Sequence, residues 1–114
     1  MSEPLQIPDI DARQAARLAA AGEVLLLDVR EDDEWDSGRA PGAVHTALGL
    51  LDPSTIPTDR PVIAVCRSGK RSAQATRLLA AAGHDARNLI GGMQAWDQAG
   101  LPVLRADGSA GEVT

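Results

Sequence analysis

The sequence predicts an α/β fold, a three-layer sandwich with a mainly parallel central sheet flanked by helices. Three observations carry this expectation. Apolar strand-like runs alternate with helical spacings along most of the chain. The two strongest runs, EVLLLDV over Glu23 to Val29 and VIAVC over Val62 to Cys66, do not alternate apolar with polar. Continuous apolar strands of this kind suit a parallel sheet covered on both faces. Gly22, Gly83 and Gly100 fall where the helical patterns end, the place a left-handed residue closes a helix. The 114 residues suit one domain. It is expected over 1–105, with 106–114 as a flexible C-terminal tail of small and polar residues.

Taken in order, Leu5 to Pro8 reads as a short edge strand. Asp9 or Asp11 can cap a helix over about Ala12 to Ala21. The strand over Glu23 to Val29 follows, then an acidic helix or turn, EDDEWDSG, ending at Gly38. Pro41-Gly42 is a turn before a brief strand over Ala43 to Ala47. Leu48 to Pro61 is loop-like, with Pro53, Pro57 and Pro61. The VIAVC strand runs into RSGKRS and a helix from about Arg71 to Ala82. Ala75, Leu78, Leu79 and Ala82 of that helix repeat at helical spacing on one face. Arg87 to Ile90 is the next strand, and Met93 to Ala99 the last helix.

Composition narrows the function. Hydrophobic residues make up 44%, yet there is no Phe and no Tyr, so Trp35 and Trp96 are the only large rings. Both are expected to pack rather than bind. The net charge of −5 predicts no affinity for nucleic acid. No apolar run reaches membrane-spanning length, and no membrane partner is expected. The N-terminus lacks a basic start and an apolar stretch, so no secretory signal is expected. The lone cysteine cannot form an internal disulfide, which suits a reducing cytoplasm. His45 and His84 lack metal-ligand spacing, and no metal is expected.

The chemically informative segment is Cys66-Arg67-Ser68-Gly69-Lys70-Arg71-Ser72. The cysteine ends a buried strand, a short glycine-containing loop follows, and a helix begins. Ligand sites of open α/β sheets lie at this edge. A curled loop can aim several N–H groups at one point, with a helix N-terminus behind it. A cysteine there should ionise easily. Buried cysteines are commonly inert, but three of the 11 basic residues, Arg67, Lys70 and Arg71, crowd this loop. Cations oppose the dipole at a helix start, so they suggest an anionic guest. Arg71 can face the loop centre or turn back to a carboxylate. Ser72 is either a helix-face hydroxyl or a donor to the sulfur. Asp28 and Arg30 read first as a salt-bridged pair, and otherwise as a brace for the rim or a tether for Arg71. The acidic run Glu31 to Glu34 with Asp36 reads as a solvated face. Gly91 and Gly92 are expected to serve tight backbone geometry.

These residues resemble the rhodanese family of single-domain sulfurtransferases. C-R-S-G-x-R-S is similar to the family's active-site loop. LLLDVREDDEW resembles its strand and acidic turn, with Asp28, Arg30, Glu34 and Trp35 in register. GRAPGAVH resembles its G-H-I-P-G-A segment, and NLIGGMQAW its closing L-x-G-G-x-x-x-W. The four blocks occur in the expected order. Arg39 and Ala40 depart from it, standing where the family often has His and Ile. The resemblance implies a rhodanese-like sandwich and sulfur transfer without a cofactor. Sulfane sulfur would move from thiosulfate or a related donor to cyanide or a thiol through a Cys66 persulfide. Arg67 and Lys70 would attract the donor. The implied partners are a small anionic sulfur donor and a thiophilic acceptor, including a sulfur-accepting protein, with the chain a monomer. The alternatives are a non-catalytic docking or regulatory module and a phosphatase or arsenate reductase relative. The latter use a longer Cys-to-Arg loop than the four residues between Cys66 and Arg71.

Overall fold

The computed structural model describes residues 8–114. Five strands form one sheet: β1 (Asp9–Ile10), β2 (Leu25–Asp28), β3 (Val44–His45), β4 (Val62–Val65) and β5 (Ala86–Leu89). Their order is β1-β5-β4-β2-β3 and every pairing is parallel. Four α-helices accompany them: α1 (Ala12–Ala20), α2 (Asp32–Ser37), α3 (Lys70–Ala81) and α4 (Gly92–Gln98). The expected α/β sandwich is therefore present, with its sheet fully parallel. Two 3-10 turns, Leu48–Leu50 and Pro53–Thr55, punctuate the segment that reads as loop. The expected edge strand at Leu5 to Pro8 lies largely outside the described residues. The edge is supplied by β1, and the Pro8 carbonyl accepts from Asn88 N–H at 2.9 Å.

Side-chain alternation along the strands explains the unbroken apolar runs. In β2 and β4, Leu26, Ile63 and Val65 point to one core, with Ala12, Ala15, Met93 and Trp96 of α1 and α4. Leu25, Leu27, Val62 and Ala64 point to the other, with Ala75 and Leu79 of α3. Each strand feeds both cores, so both faces are largely apolar. The same alternation puts Cys66 on the α3 side. With no Phe or Tyr available, the interior is built from aliphatic side chains around one indole. Trp96 is buried and its Nε1–H donates to Pro102 O at 2.7 Å, so the ring carries no unpaired polar group.

Local signals act as expected at α1, where Asp11 is the N-cap and its carboxylate accepts from Gln14 N–H at 2.8 Å. The segment expected as a tail makes backbone contacts with the domain. Leu104 and Arg39 exchange backbone hydrogen bonds at 2.9 Å, Gly111 N–H reaches Val103 O at 2.8 Å, and Glu112 N–H reaches Ser37 O at 2.9 Å. Val113 packs against the α1–α4 core. Small polar composition allows this strap because Gly38 and Gly111 let two backbones touch. A Cβ on Gly38 would meet Glu112 N at 2.7 Å. Among the described residues no helix is long and apolar enough to cross a membrane.

Candidate active site

Cys66 directly follows β4, and its loop closes at Gly69, the residue before α3. Gly69 has φ +107°, a left-handed conformation that L side chains rarely adopt. The turn brings the Gly69 N–H to 3.0 Å and the Ser72 Oγ to 3.2 Å from Cys66 Sγ. Burial pushes the Cys66 thiol up. Hydrogen bonds from the Ser72 hydroxyl and from the backbone N–H groups of Ser72, Gly69 and Ser68 outweigh it, leaving the thiol below its ordinary range. The helix-face hydroxyl of Ser72 is thus a sulfur partner.

The loop is held from behind by α4. Met93 N–H donates to Cys66 O at 2.8 Å and Gln94 N–H to Arg67 O at 3.0 Å. With those carbonyls turned to α4, the N–H groups downstream are free to face the sulfur. The approach is close enough that a Cβ on Gly92, which has φ +58°, would collide with the Cys66 carbonyl oxygen and with Arg67 backbone atoms. This is the tight geometry expected at Gly91 and Gly92. It ties the last motif of the chain to the cysteine loop.

The basic residues divide into two groups. Arg67 and Lys70 are exposed, as is Ser68, and among the described residues neither cation forms an ion pair. Arg71 pairs with a carboxylate instead. Its Nη1 and Nη2 donate to Glu34 Oε1 and Oε2 at 2.7 and 2.9 Å. The Arg71 guanidinium draws the Glu34 carboxyl down to about 2, helped by the Glu31 N–H. Glu34 also completes the capping box of α2, with Glu31 N–H donating to its Oε1 at 3.0 Å. The reading of the acidic run as a solvated face is therefore corrected at Glu34. This carboxylate locks α2 to the first turn of α3, and Arg71 is tethered by Glu34 rather than by Asp28.

Asp28 and Arg30 form the buried pair that their order suggests. Arg30 Nε donates to Asp28 Oδ1 at 2.9 Å and Nη2 to Oδ2 at 2.8 Å, with both residues at most 1% exposed. Nη2 also donates to Gly38 O at 2.7 Å, which ties the pair to the C-cap of α2. Asp28 lies opposite Val65 in the β2–β4 ladder, one residue before the cysteine. Among the described residues the pair's side chains make no hydrogen bond to the loop.

Two features escape sequence reading. Asn88 of β5 places Oδ1 at 2.6 Å from Ser72 Oγ, while its Nδ2 donates to Gly69 O at 3.3 Å. Only its place beside the last glycine motif could have drawn attention to it. Trp35 stacks on His45 with ring centroids 4.8 Å apart, and the Arg39 guanidinium lies 4.1 Å from the Trp35 ring centroid. The arginine that departs from the family pattern thus lies over this indole.

The fold and loop define a class first: a parallel α/β domain presenting one ionisable cysteine in a loop of inward N–H groups. The particular family follows from comparison. The rhodanese-like domain pattern matches residues 11–99, and the chain belongs to that family. It is 39% identical over 106 residues to a sulfurtransferase of Allochromatium vinosum, covering 90% of this chain and 99% of that protein. It is 34% identical over 104 residues to the thiosulfate sulfurtransferase GlpE of Actinobacillus succinogenes, covering 88% and 93%. Among solved structures, a rhodanese-related protein from Thermoplasma volcanium superposes with a TM-score of 0.79 at 26% identity, covering 85% of this chain and 97% of that one.

Proposed function

We propose that the protein is a sulfurtransferase that carries sulfane sulfur as a persulfide on Cys66. The observation that carries this reading is the convergence of Gly69 N–H and Ser72 Oγ on a cysteine sulfur at the C-terminal edge of a parallel sheet. The relatives named as sulfurtransferases support the reaction class.

The Cys66 thiolate attacks the outer sulfur of a donor such as thiosulfate. A new S–S bond forms, the donor's S–S bond breaks, and sulfite leaves with its electron pair. A thiophile, either cyanide or a thiol, small or on a protein, then attacks the outer sulfur of the persulfide. That step returns the Cys66 thiolate. This is double-displacement covalent catalysis, and no step requires a metal or organic cofactor. Cys66 is only 1% exposed, so the loop has to open a path for the donor's terminal sulfur while its oxyanion end stays outside. Exposed Arg67 and Lys70 stand at that mouth to meet the oxyanion, and the loop N–H groups stabilise the sulfur anion in each state.

Intact mass measurement tests the proposal. Incubation with thiosulfate should add one sulfur to the wild type and none to Cys66→Ser, and cyanide should remove it. No adduct on the wild type, or an adduct on Cys66→Ser, would end this reading.

A further inference from the structure

The Ser72 hydroxyl sits between two acceptors. Its Oγ is 3.2 Å from Cys66 Sγ and 2.6 Å from Asn88 Oδ1. A hydroxyl has one proton to give. The orientation of the Asn88 amide is set by its other end, where a nitrogen must face the Gly69 carbonyl at 3.3 Å. An oxygen therefore faces Ser72, and it can only accept. The Asn88 backbone is committed to the sheet, with its N–H on Pro8 O at 2.9 Å, so the side chain is presented to the loop from a fixed support. All three residues are buried.

We propose that Asn88 is a positioning residue that competes with the Cys66 sulfur for the single proton of Ser72. In the thiol state every group is satisfied in one chain. Cys66 S–H donates to Ser72 Oγ, Ser72 O–H to Asn88 Oδ1, and Asn88 Nδ2–H to Gly69 O. In the thiolate state the Ser72 proton turns to the sulfur, and Asn88 Oδ1 loses its donor. Asn88 thus moderates the stabilisation of the thiolate, which keeps the sulfur a stronger nucleophile than an unopposed hydroxyl would leave it. Once a persulfide forms, negative charge moves to the outer sulfur and the inner sulfur becomes a weak acceptor. The Ser72 proton then returns to Asn88, and the chain relaxes around the loaded state. Glu34 and Arg71 do not enter this chain, because they bind each other at the α2–α3 contact.

The inference rests on Cys66 being the reactive thiol, but its test reads ionisation alone and not sulfur transfer. The pH profile of iodoacetamide alkylation is measured for wild type, Asn88→Leu, Asn88→Asp and Ser72→Ala, and for each Asn88 variant combined with Ser72→Ala. Asn88→Leu removes the competing acceptor, so its profile should move to lower pH. Damage to the loop would move it to higher pH instead. Asn88→Asp captures the hydroxyl more strongly and adds like charge. It should reduce alkylation near neutral pH by about tenfold, the scale of one hydrogen bond to a charged group. In the Ser72→Ala background the Leu effect should vanish, and the Asp effect should shrink to its charge component. A move to higher pH in Asn88→Leu, or shifts of unchanged size without the Ser72 hydroxyl, would overturn the proposal. If Asn88→Leu does not fold, the Asn88→Asp comparison with and without Ser72→Ala decides it. Sulfur loading by mass is scored separately, so a failure of the persulfide reading is distinguishable from a failure at Asn88.

Discussion

At the scale of single residues, the loop separates cations by partner. Arg71 has both terminal nitrogens on Glu34, whereas Arg67 and Lys70 are exposed and form no ion pair among the described residues. Arg67→Ala or Lys70→Ala should therefore weaken thiosulfate turnover mainly through KM, because contacts made before chemistry are lost first. Steady-state kinetics with a charged and an uncharged donor check this. Equal losses with both would point to loop damage. Glu34 gives a pH prediction with a definite sign. Its carboxyl falls from 4.5 to about 2 on folding, because the Arg71 guanidinium holds the charged form. A depressed carboxyl contributes stability that is complete above the unfolded value and is lost as pH falls through the folded one. Thermal melting should therefore show wild type losing stability between about pH 4.5 and about 2 more steeply than Glu34→Gln. The pair is partly exposed, at 35% and 14%, so salt should reduce the difference.

At the scale of elements, the site is the meeting point of β4, α3 and α4. The Gly91–Gly92 turn is the contact that cannot tolerate a side chain, since Gly92 is left-handed and faces the Cys66 and Arg67 backbone. Gly92→Ala should displace the loop without touching any group that contacts sulfur. The expected outcome is a loss of stability of about 1–3 kcal/mol from backbone strain. Slower alkylation of Cys66 should accompany it, because the N–H groups no longer converge. Denaturant unfolding together with alkylation kinetics checks both parts. Normal alkylation in a destabilised Gly92→Ala would show that the loop holds its shape without α4. By contrast Leu79→Ala, in the α3-side core, should cost about 2–5 kcal/mol and leave the alkylation profile of the folded protein unchanged.

At the scale of the molecule, one buried thiol serves a chain that has no second cysteine. An internal disulfide cannot discharge a persulfide on Cys66. The sulfur-loaded form should survive gel filtration without acceptor and discharge in a single step on addition of cyanide or a small thiol. Loss of the sulfur within seconds, or a disulfide-linked dimer as the main product, would contradict a carrier role. Mass spectrometry of the eluted peak makes the distinction. The net charge of −5 contrasts with exposed Arg67 and Lys70 at the loop, so under the proposed function any attraction for an anionic donor is local rather than molecular.

Much of this was legible from the order of residues alone. Apolar runs that do not alternate, within Glu23–Val29 and Val62–Cys66, pointed to a doubly covered parallel sheet, because a strand buried on both faces has few polar positions to spare. Period-two alternation along β4 puts Cys66 on the face of Val62 and Ala64, and the tertiary structure decided that α3 covers that face. A glycine between a cysteine and a helix, amid basic residues, marked the anion loop. Tertiary structure decided what depends on distance between remote segments. It paired Arg71 with Glu34, 37 residues away, and brought Asn88 to Ser72 across 16. It also folded 103–112 back onto 37–39. Local sequence encodes conformation through backbone sterics and hydrophobic period. The partner of an ion or a hydroxyl is chosen only when the sheet order has set which side chains share a buried space.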